Sequence, residues 1–158
     1  MSKIKWCLKQ KCGIKFVEPN KNLSESYLSM AKESLDAMNR EKGKSKIFSV
    51  SAAYYSLYYS LYSVMQKIGI KCEIHSCSID FMKNFLMEFY NSKDIELIES
   101  AFRARNDLQY YVNRDVSLDN LSYIFDNSYD FFVKSRKIVS LLSESKINKI
   151  RGELENAK

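Results

Sequence analysis

Apolar residues recur every three or four positions along most of the chain, which is the spacing of one face of an α-helix. A short helix is predicted over residues 3–12. Longer helices are predicted over residues 20–40, 45–68, 78–90 and 93–113, and Ser117 is placed to cap a long last helix. No segment keeps the alternation of a β-strand. The predicted fold is therefore all-α, an up-and-down bundle of about five helices.

Turn-forming residues divide the chain into three parts. Residues 1–19 are expected to form the short helix and a linker, residues 20–145 the bundle, and residues 146–158 a charged C-terminal helix extension. Gly69 follows the helix over 45–68, as expected of the glycine just past a helix end. Ser76 is a candidate N-cap for the next helix.

The helix over 45–68 has two contrasting faces when its residues are placed at about 100° per step. One face carries only small side chains: Ser49, Ala52, Ala53, Ser56, Ser60 and Ser63. A small face lets a neighbouring backbone approach closely, so this helix is expected at the centre of the bundle. The opposite face is rich in tyrosine, including Tyr54, Tyr55, Tyr58 and Tyr62. Tyr54 and Tyr58 either pack in the core or form an aromatic wall that contacts a nucleobase.

Arg105 interrupts the apolar face of the helix over 93–113. The residues around it on that face are apolar: Ile95, Leu97, Ile98, Ala101, Phe102, Leu108 and Val112. A buried guanidinium cannot neutralise itself by losing a proton. Arg105 therefore forms an ion pair inside the bundle, or its face opens onto a subunit interface or an anion-binding cleft. Other polar and aromatic residues lie on the remaining sides of the same two turns: Arg103, Asn106, Asp107, Tyr110 and Tyr111.

Composition narrows the function classes. The chain has 158 residues, 46% hydrophobic and 28% charged, which is typical of one globular domain. Four glycines and one proline argue against a β-sandwich and against glycine-rich phosphate loops. A net charge of +6 permits an anionic partner, but it decides nothing until the positions of the lysines are known. Since His75 is the single histidine, a multi-histidine metal site is excluded.

The N-terminus lacks the apolar core of a secretory signal, so a cytoplasmic protein is expected. The longest apolar segment, residues 47–65, contains several serines and five tyrosines, so no membrane span is predicted. All four cysteines are then expected to be free thiols: Cys7, Cys12, Cys72 and Cys77. Two alternatives stay open, a zinc site that includes His75 and a disulfide such as Cys72–Cys77. No metal and no cofactor are predicted.

Three segments together resemble the HEPN domain family. They are the Arg-Asn helix from Ala101 to Arg114 (AFRARNDLQYYVNR), the tyrosine-rich stretch from Ser51 to Ser60 (SAAYYSLYYS), and Ile74-His75-Ser76. The resemblance covers about residues 20–142. It is strongest to small prokaryotic and archaeal HEPN proteins of the type paired with a minimal nucleotidyltransferase.

The resemblance implies a helical homodimer with a metal-independent ribonuclease site. The family motif is an arginine, usually a polar residue, and then a histidine after four to six intervening residues; the arginine holds the scissile phosphate. Arg105 and Asn106 match its opening, and Tyr110 stands where the histidine is expected. A phenol is a poor general base near neutral pH, although it can donate a hydrogen bond or stack on a base. In toxin members a tyrosine two positions beyond the histidine accepts AMP, and Val112 occupies that position here.

The resemblance assigns Arg105, Asn106 and Tyr110 as candidate catalytic residues. Nucleotide or RNA contacts are expected from a wider group: Arg103, Asp107, Tyr111, Tyr54 and Tyr58. His75 is either a substitute acid–base group, if the fold brings it to Arg105, or a loop or cap residue.

Three functions compete. The first is a dimer that binds RNA or a nucleotide around Arg105, with endoribonuclease activity as the toxin-like member of a toxin–antitoxin pair. The second is a non-catalytic module that docks a nucleotidyltransferase partner. The third is a plain dimeric scaffold in which Arg105 only completes an ion pair.

Overall fold

The computed structural model describes residues 3–158, in which seven helices and one short β-ladder are found. The helices are α1 (Lys3–Lys9), α2 (Lys21–Glu41), α3 (Lys46–Ile68), α4 (His75–Phe85), α5 (Ser92–Tyr110), α6 (Leu118–Leu141) and α7 (Glu144–Asn156). The all-α prediction is confirmed at the level of class, with seven helices in place of about five. Sequence patterning missed β1 (Lys15–Phe16) and β2 (Ile70–Lys71), which pair antiparallel. Two-residue strands are too short to show an alternation.

Helix α3 lies at the centre of the bundle, as its small face predicts. It packs most extensively against α2 and also contacts α4, α5, α6 and α7. Five residues of the small face are buried: Ser49, Ala53, Ser56, Ser60 and Ser63. The buried hydroxyls donate to carbonyls one turn back, as in the bond of 2.6 Å from Ser60 Oγ to the oxygen of Ser56. The face is thus small and internally satisfied, so other helices can pack on it without orphaned polar groups.

Helix ends follow local capping chemistry where side chains supply it. Ser117 caps α6 by accepting from the backbone nitrogen of Asn120 at 3.2 Å, as predicted. Gly69 adopts the left-handed conformation after α3, with φ of 83°. Ser76 is not a cap, because α4 begins one residue earlier, at His75, and no side chain caps its N-terminus. The helix ends at Phe85, whereas the sequence predicted an end at residue 90. Helices α1 and α5 are each three residues shorter at their C-terminal ends than predicted, since α1 ends at Lys9 and α5 at Tyr110.

The charged C-terminal segment forms a packed helix of its own. Helix α6 ends at Leu141, and Ser143 caps the separate helix α7 by accepting from the backbone nitrogen of Lys146. One face of α7 is buried through Ile147, Ile150 and Leu154. The prediction of a simple helix extension from residue 146 is therefore wrong, because three apolar residues among many charges are enough to dock this helix.

A disulfide joins Cys7 of α1 to Cys77 of α4, with 5.7 Å between their Cα atoms. The prediction of four free thiols is wrong for this pair, and the alternative pairing of Cys72 with Cys77 is also wrong. Cys72 is buried and free, and Cys12 is exposed and free. The two joined cysteines are 70 residues apart in sequence. Only the packing of α1 on α4 brings them within bonding distance.

None of the helices formed by residues 3–158 combines the length and the hydrophobicity needed to cross a lipid bilayer.

Candidate functional site

Arg105 lies on the face of α5 that meets α3, and it is half-buried. Its guanidinium carbon is 5.4 Å from the ring centroid of Tyr54 and 5.3 Å from that of Tyr55. A third ring, that of Tyr110, lies 5.8 Å away. These distances are within the range of cation–π attraction, so the aromatic rings partly compensate the cost of placing the charge here.

The hydrogen bonds of Arg105 are few and long. Nη2 donates to the hydroxyls of Tyr55 at 3.3 Å and of Tyr110 at 3.4 Å, and Nη1 donates to Oδ1 of Asn106 at 3.4 Å. Nε is buried without an acceptor. Strong charge-assisted hydrogen bonds are about 2.7–2.9 Å long, so these donors are poorly satisfied. They remain available to an acceptor of higher charge.

Arg105 has no carboxylate within 4.0 Å anywhere in the described chain. The ion pairs of residues 3–158 involve other cations, and the nearby Asp107 pairs instead with Arg114 at 2.8 Å. The interpretation of Arg105 as one half of a structural ion pair is therefore wrong. What remains is a half-buried positive charge that is surrounded by phenols and lacks a counter-ion.

His75 is brought to the same cluster. It is the first residue of α4, and its Nδ1 lies 2.7 Å from the hydroxyl of Tyr54. Its ring stacks on Tyr58 with centroids 4.0 Å apart. Burial, and then the positive charge of Arg105, lower the pKa of His75 below its ordinary value. The imidazole is therefore neutral at neutral pH, and Tyr54 contacts both His75 and Arg105.

Tyr54 and Tyr58 do not form a ligand-facing wall. They are 0% and 6% exposed, and burial raises the pKa of both hydroxyls. The prediction of direct RNA or nucleotide contacts from these two residues is corrected here, because neither ring has a free face. The Tyr54 ring instead packs against Arg105 and His75, and the Tyr58 ring stacks on His75.

The other candidates at the C-terminal end of α5 differ in the residues that they contact, although Tyr110 and Tyr111 line the same groove. Tyr110 is 62% exposed, contacts Arg105 and also lines a groove of about 580 Å³. Tyr111 stacks on the guanidinium of Arg114 at 3.8 Å, and Asp107 pairs with the same guanidinium. Tyr111 and Asp107 therefore contact Arg114 and not Arg105.

Arg103 lies apart from the cluster. It is exposed, it reaches Ser100 at 3.4 Å, and it shares a small cavity with Lys3 of α1 and Ser76 of α4. Because two positions along a helix correspond to a rotation of about 200°, Arg103 faces α1 while Arg105 faces α3.

Sequence reasoning missed Tyr55 as a contact of Arg105. Its signal was present, since Tyr55 belongs to the tyrosine face of α3, but periodicity does not say which tyrosine meets which helix. The cluster formed by Arg105, Asn106, Tyr110, Tyr55, Tyr54 and His75 is called the arginine–tyrosine cluster below.

Residues 3–158 contain no group of three or more histidine, cysteine or acidic side chains placed to hold a metal ion. Because Cys7 and Cys77 are bonded to each other, two of the ligands considered for a zinc site are already used.

Comparison with known proteins finds no family model that matches the chain and no curated protein that resembles it.

Proposed function

We propose that this protein is a HEPN-like homodimer that binds and cleaves single-stranded RNA at the arginine–tyrosine cluster without a metal ion. The observation that carries the proposal is the half-buried guanidinium of Arg105, which lacks a counter-ion and has an unsatisfied Nε. A phosphodiester supplies what is missing, a negative charge with oxygen acceptors that suit the planar fork of a guanidinium.

His75 supplies the acid–base group that the expected histidine position lacks. In the tautomer in which Nδ1–H donates to the hydroxyl of Tyr54, Nε2 is left to accept a proton. We assign this nitrogen to the ribose 2′-hydroxyl, whose oxygen then attacks the adjacent phosphorus. The phosphorus–O5′ bond breaks, and the leaving oxygen takes a proton from solvent. The products are a 2′,3′-cyclic phosphate and a 5′-hydroxyl.

Arg105 has two roles in this reaction. It binds the phosphate in the ground state, and it stabilises the extra negative charge that develops on the phosphate oxygens in the transition state. Tyr110, at the mouth of the site, is placed to donate a hydrogen bond or to stack on a base, as its 62% exposure permits.

A second copy of the chain completes the proposed site. Large apolar side chains lie exposed around the C-terminal end of α5, beyond Tyr110: Ile47, Phe48, Tyr111, Val112 and Leu118. This group is called the apolar end below. An apolar surface of this kind on a small protein indicates an interface. A symmetric dimer across it places two arginine–tyrosine clusters near each other.

The test uses purified protein, end-labelled single-stranded RNA and excess EDTA. Wild type is compared with Arg105→Ala, His75→Ala and the matched control Arg136→Ala, whose arginine is exposed on α6. Binding is measured by anisotropy, cleavage by gel and folding by circular dichroism.

We expect Arg105→Ala to lose binding and cleavage, His75→Ala to keep binding and lose cleavage, and the control to behave as wild type. Equal RNA binding by wild type and Arg105→Ala, with both folded, contradicts the proposal.

A further inference from the structure

The positive charge of the chain is concentrated at its N-terminus. Residues 1–17 contain five lysines and no acidic residue, so they hold five of the six net positive charges. Three of these lysines, Lys9, Lys11 and Lys15, have no acidic partner within 4.0 Å in the described part of the chain, whereas Lys3 pairs with Asp80 at 2.8 Å. The remaining 141 residues are close to neutral, so most of the net positive charge of the chain lies in this segment.

The lysines surround a recessed apolar cavity between α1, β1 and the C-terminus. The cavity has a volume of about 340 Å³. Its floor is apolar and consists of Leu8, Ile14 and Phe16. Its rim is basic and consists of Lys5, Lys9, Lys15 and Lys158, of which Lys158 is paired with Glu155 at 2.7 Å. This rim and floor, with Trp6, which follows Lys5 along α1, are called the basic cavity below.

One exposed aromatic ring accompanies the charges on α1. Trp6 is 42% exposed on α1. Phe16 is half-buried in the floor, where the ammonium of Lys158 and the guanidinium carbon of Arg151 lie 4.6 Å and 5.0 Å from its ring centroid. A surface that combines lysines with one exposed ring, that of Trp6, suits single-stranded nucleic acid, because phosphates meet the charges and a base stacks on the ring.

Helix α1 connects the basic cavity to the arginine–tyrosine cluster. The Cys7–Cys77 disulfide fixes α1 to α4, and α4 begins with His75. Lys3 of α1 shares a cavity of about 100 Å³ with Arg103, which lies two residues from Arg105 on α5. Helix α1 therefore borders both the basic cavity and the small cavity beside Arg103, which Glu99 also lines and where Lys3 is paired with Asp80.

We infer that the basic cavity is a second RNA-binding surface, which holds the phosphate backbone of a strand whose scissile nucleotide lies at Arg105. The inference rests on the proposed function, and it adds the substrate class: single-stranded RNA that extends several nucleotides beyond the reacting phosphate. Short dinucleotides reach the cluster alone and bind more weakly.

The shape of the surface favours RNA over a lipid bilayer. A membrane-binding helix presents protruding apolar side chains to the bilayer. Here Leu8, Ile14 and Phe16 are buried or half-buried below a rim of lysines, and Trp6 is the one large apolar side chain of α1 that protrudes.

The experiment measures anisotropy of labelled oligouridine of about 20 nucleotides over a range of salt concentrations. The variant Lys9→Glu/Lys15→Glu reverses two rim charges. The control variant Lys93→Glu/Lys137→Glu makes the same change in net charge on α5 and α6, at two exposed lysines outside both sites. Arg105→Ala is measured in parallel, and vesicles of phosphatidylserine and phosphatidylcholine serve as a second probe.

We expect the rim variant to bind at least about fivefold more weakly than the control variant, with the slope of log K against log salt reduced by about 1.4, because two phosphate contacts are lost. Arg105→Ala should also weaken binding.

The other outcomes separate the two proposals. If Arg105→Ala weakens binding and the rim variant matches the control, the basic cavity is overturned and the Arg105 site stands. If the rim variant alone weakens binding, the basic cavity stands and the proposed function is contradicted. If wild type binds no RNA, whether or not it sediments with vesicles, the inference is overturned.

Discussion

Arg105 places a positive charge in a position where an apolar side chain would pack without any unsatisfied group. Its Nε has no acceptor, and its other contacts are 3.3–3.4 Å long. An unpaired, partly buried charge costs stability, since the water that it loses is not fully replaced. A half-buried charge that is packed among aromatic rings and has no counter-ion is typical of a site that binds an anion.

The stability of an Arg105→Met variant tests this balance. Methionine fills a similar volume and needs no hydrogen bonds, so the free energy of unfolding should stay within about 1 kcal/mol of wild type or rise. Urea denaturation measures it. A loss greater than about 2 kcal/mol in this variant would show that Arg105 holds the bundle together.

His75 should make the fold sensitive to mild acid. Burial and Arg105 lower the pKa of His75 in the folded state, so between its folded and unfolded pKa values the unfolded chain binds more protons. The contribution of the neutral ring to the free energy of unfolding is therefore complete above about pH 6.5, the ordinary pKa of histidine. It is lost as the pH falls below that value.

When the pH is lowered from about 7.5 to 5, we expect the free energy of unfolding of His75→Gln to fall less than that of wild type. Urea denaturation at both pH values measures the difference. Because the carboxylates titrate alike in both proteins, parallel losses in the two would contradict a lowered pKa at His75.

At the scale of elements, helix α1 is held mainly by its contact with α4. The disulfide between Cys7 and Cys77 closes a segment with a sequence separation of 70 residues. A crosslink over such a length restricts the unfolded chain strongly.

The variant Cys7→Ser should therefore lower the free energy of unfolding by about 2–4 kcal/mol under oxidising conditions. Thermal and urea denaturation measure the change, with Cys12→Ser as the control because Cys12 is exposed and free. The same loss is expected when the wild type is reduced. Equal stability of Cys7→Ser and Cys12→Ser would argue that the crosslink contributes nothing.

The junction of α3, β1 and α7 depends on one glycine and one arginine. Arg151 of α7 donates from Nη1 to the carbonyl oxygens of Val17 at 2.9 Å and of Gly69 at 2.8 Å. Gly69 has φ of +83°, and an added Cβ would lie 2.5 Å from both Arg151 Nη1 and the oxygen of Val17. Only glycine satisfies the backbone conformation and the close approach together.

Gly69→Ala should lower the free energy of unfolding by about 2 kcal/mol or more, because the left-handed conformation is strained for alanine and Arg151 must move away from the added Cβ. Gly152→Ala is the matched control: it lies within α7 with open space around its Cβ, so alanine should stabilise the protein by up to about 1 kcal/mol. Thermal unfolding of both variants measures the contrast, and a neutral Gly69→Ala would refute the tight junction.

At the scale of the whole molecule, the apolar end is the surface through which we propose that two copies of the chain associate. Val112 is fully exposed in a single chain, so a polar replacement there removes nothing from the monomer fold. Its exposure makes it a clean probe of association.

We expect wild type to sediment as a dimer and Val112→Asp as a folded monomer. Leu141→Asp, at an exposed apolar residue on α6, is the control and should stay dimeric. Sedimentation equilibrium at micromolar protein distinguishes them. A monomeric wild type contradicts the proposed homodimer.

Periodicity in the sequence determined the helical class, the central position of α3 and the anomaly of Arg105. These properties depend on the side chains of one helix, and the rotation of about 100° per residue makes them readable from spacing. The caps at Ser117 and Gly69 were readable for the same reason, because a cap acts within one turn.

Tertiary structure alone decided which side chains meet. The Cys7–Cys77 bond, the contact of His75 with Tyr54 and the reach of Arg151 to Val17 join residues separated by 70, 21 and 134 positions. Tyr54 and Tyr58 were predicted as ligand contacts because the face of a helix does not reveal what covers it. Local periodicity sets each helix, whereas packing between helices sets the partners, and the arginine–tyrosine cluster exists only through that packing.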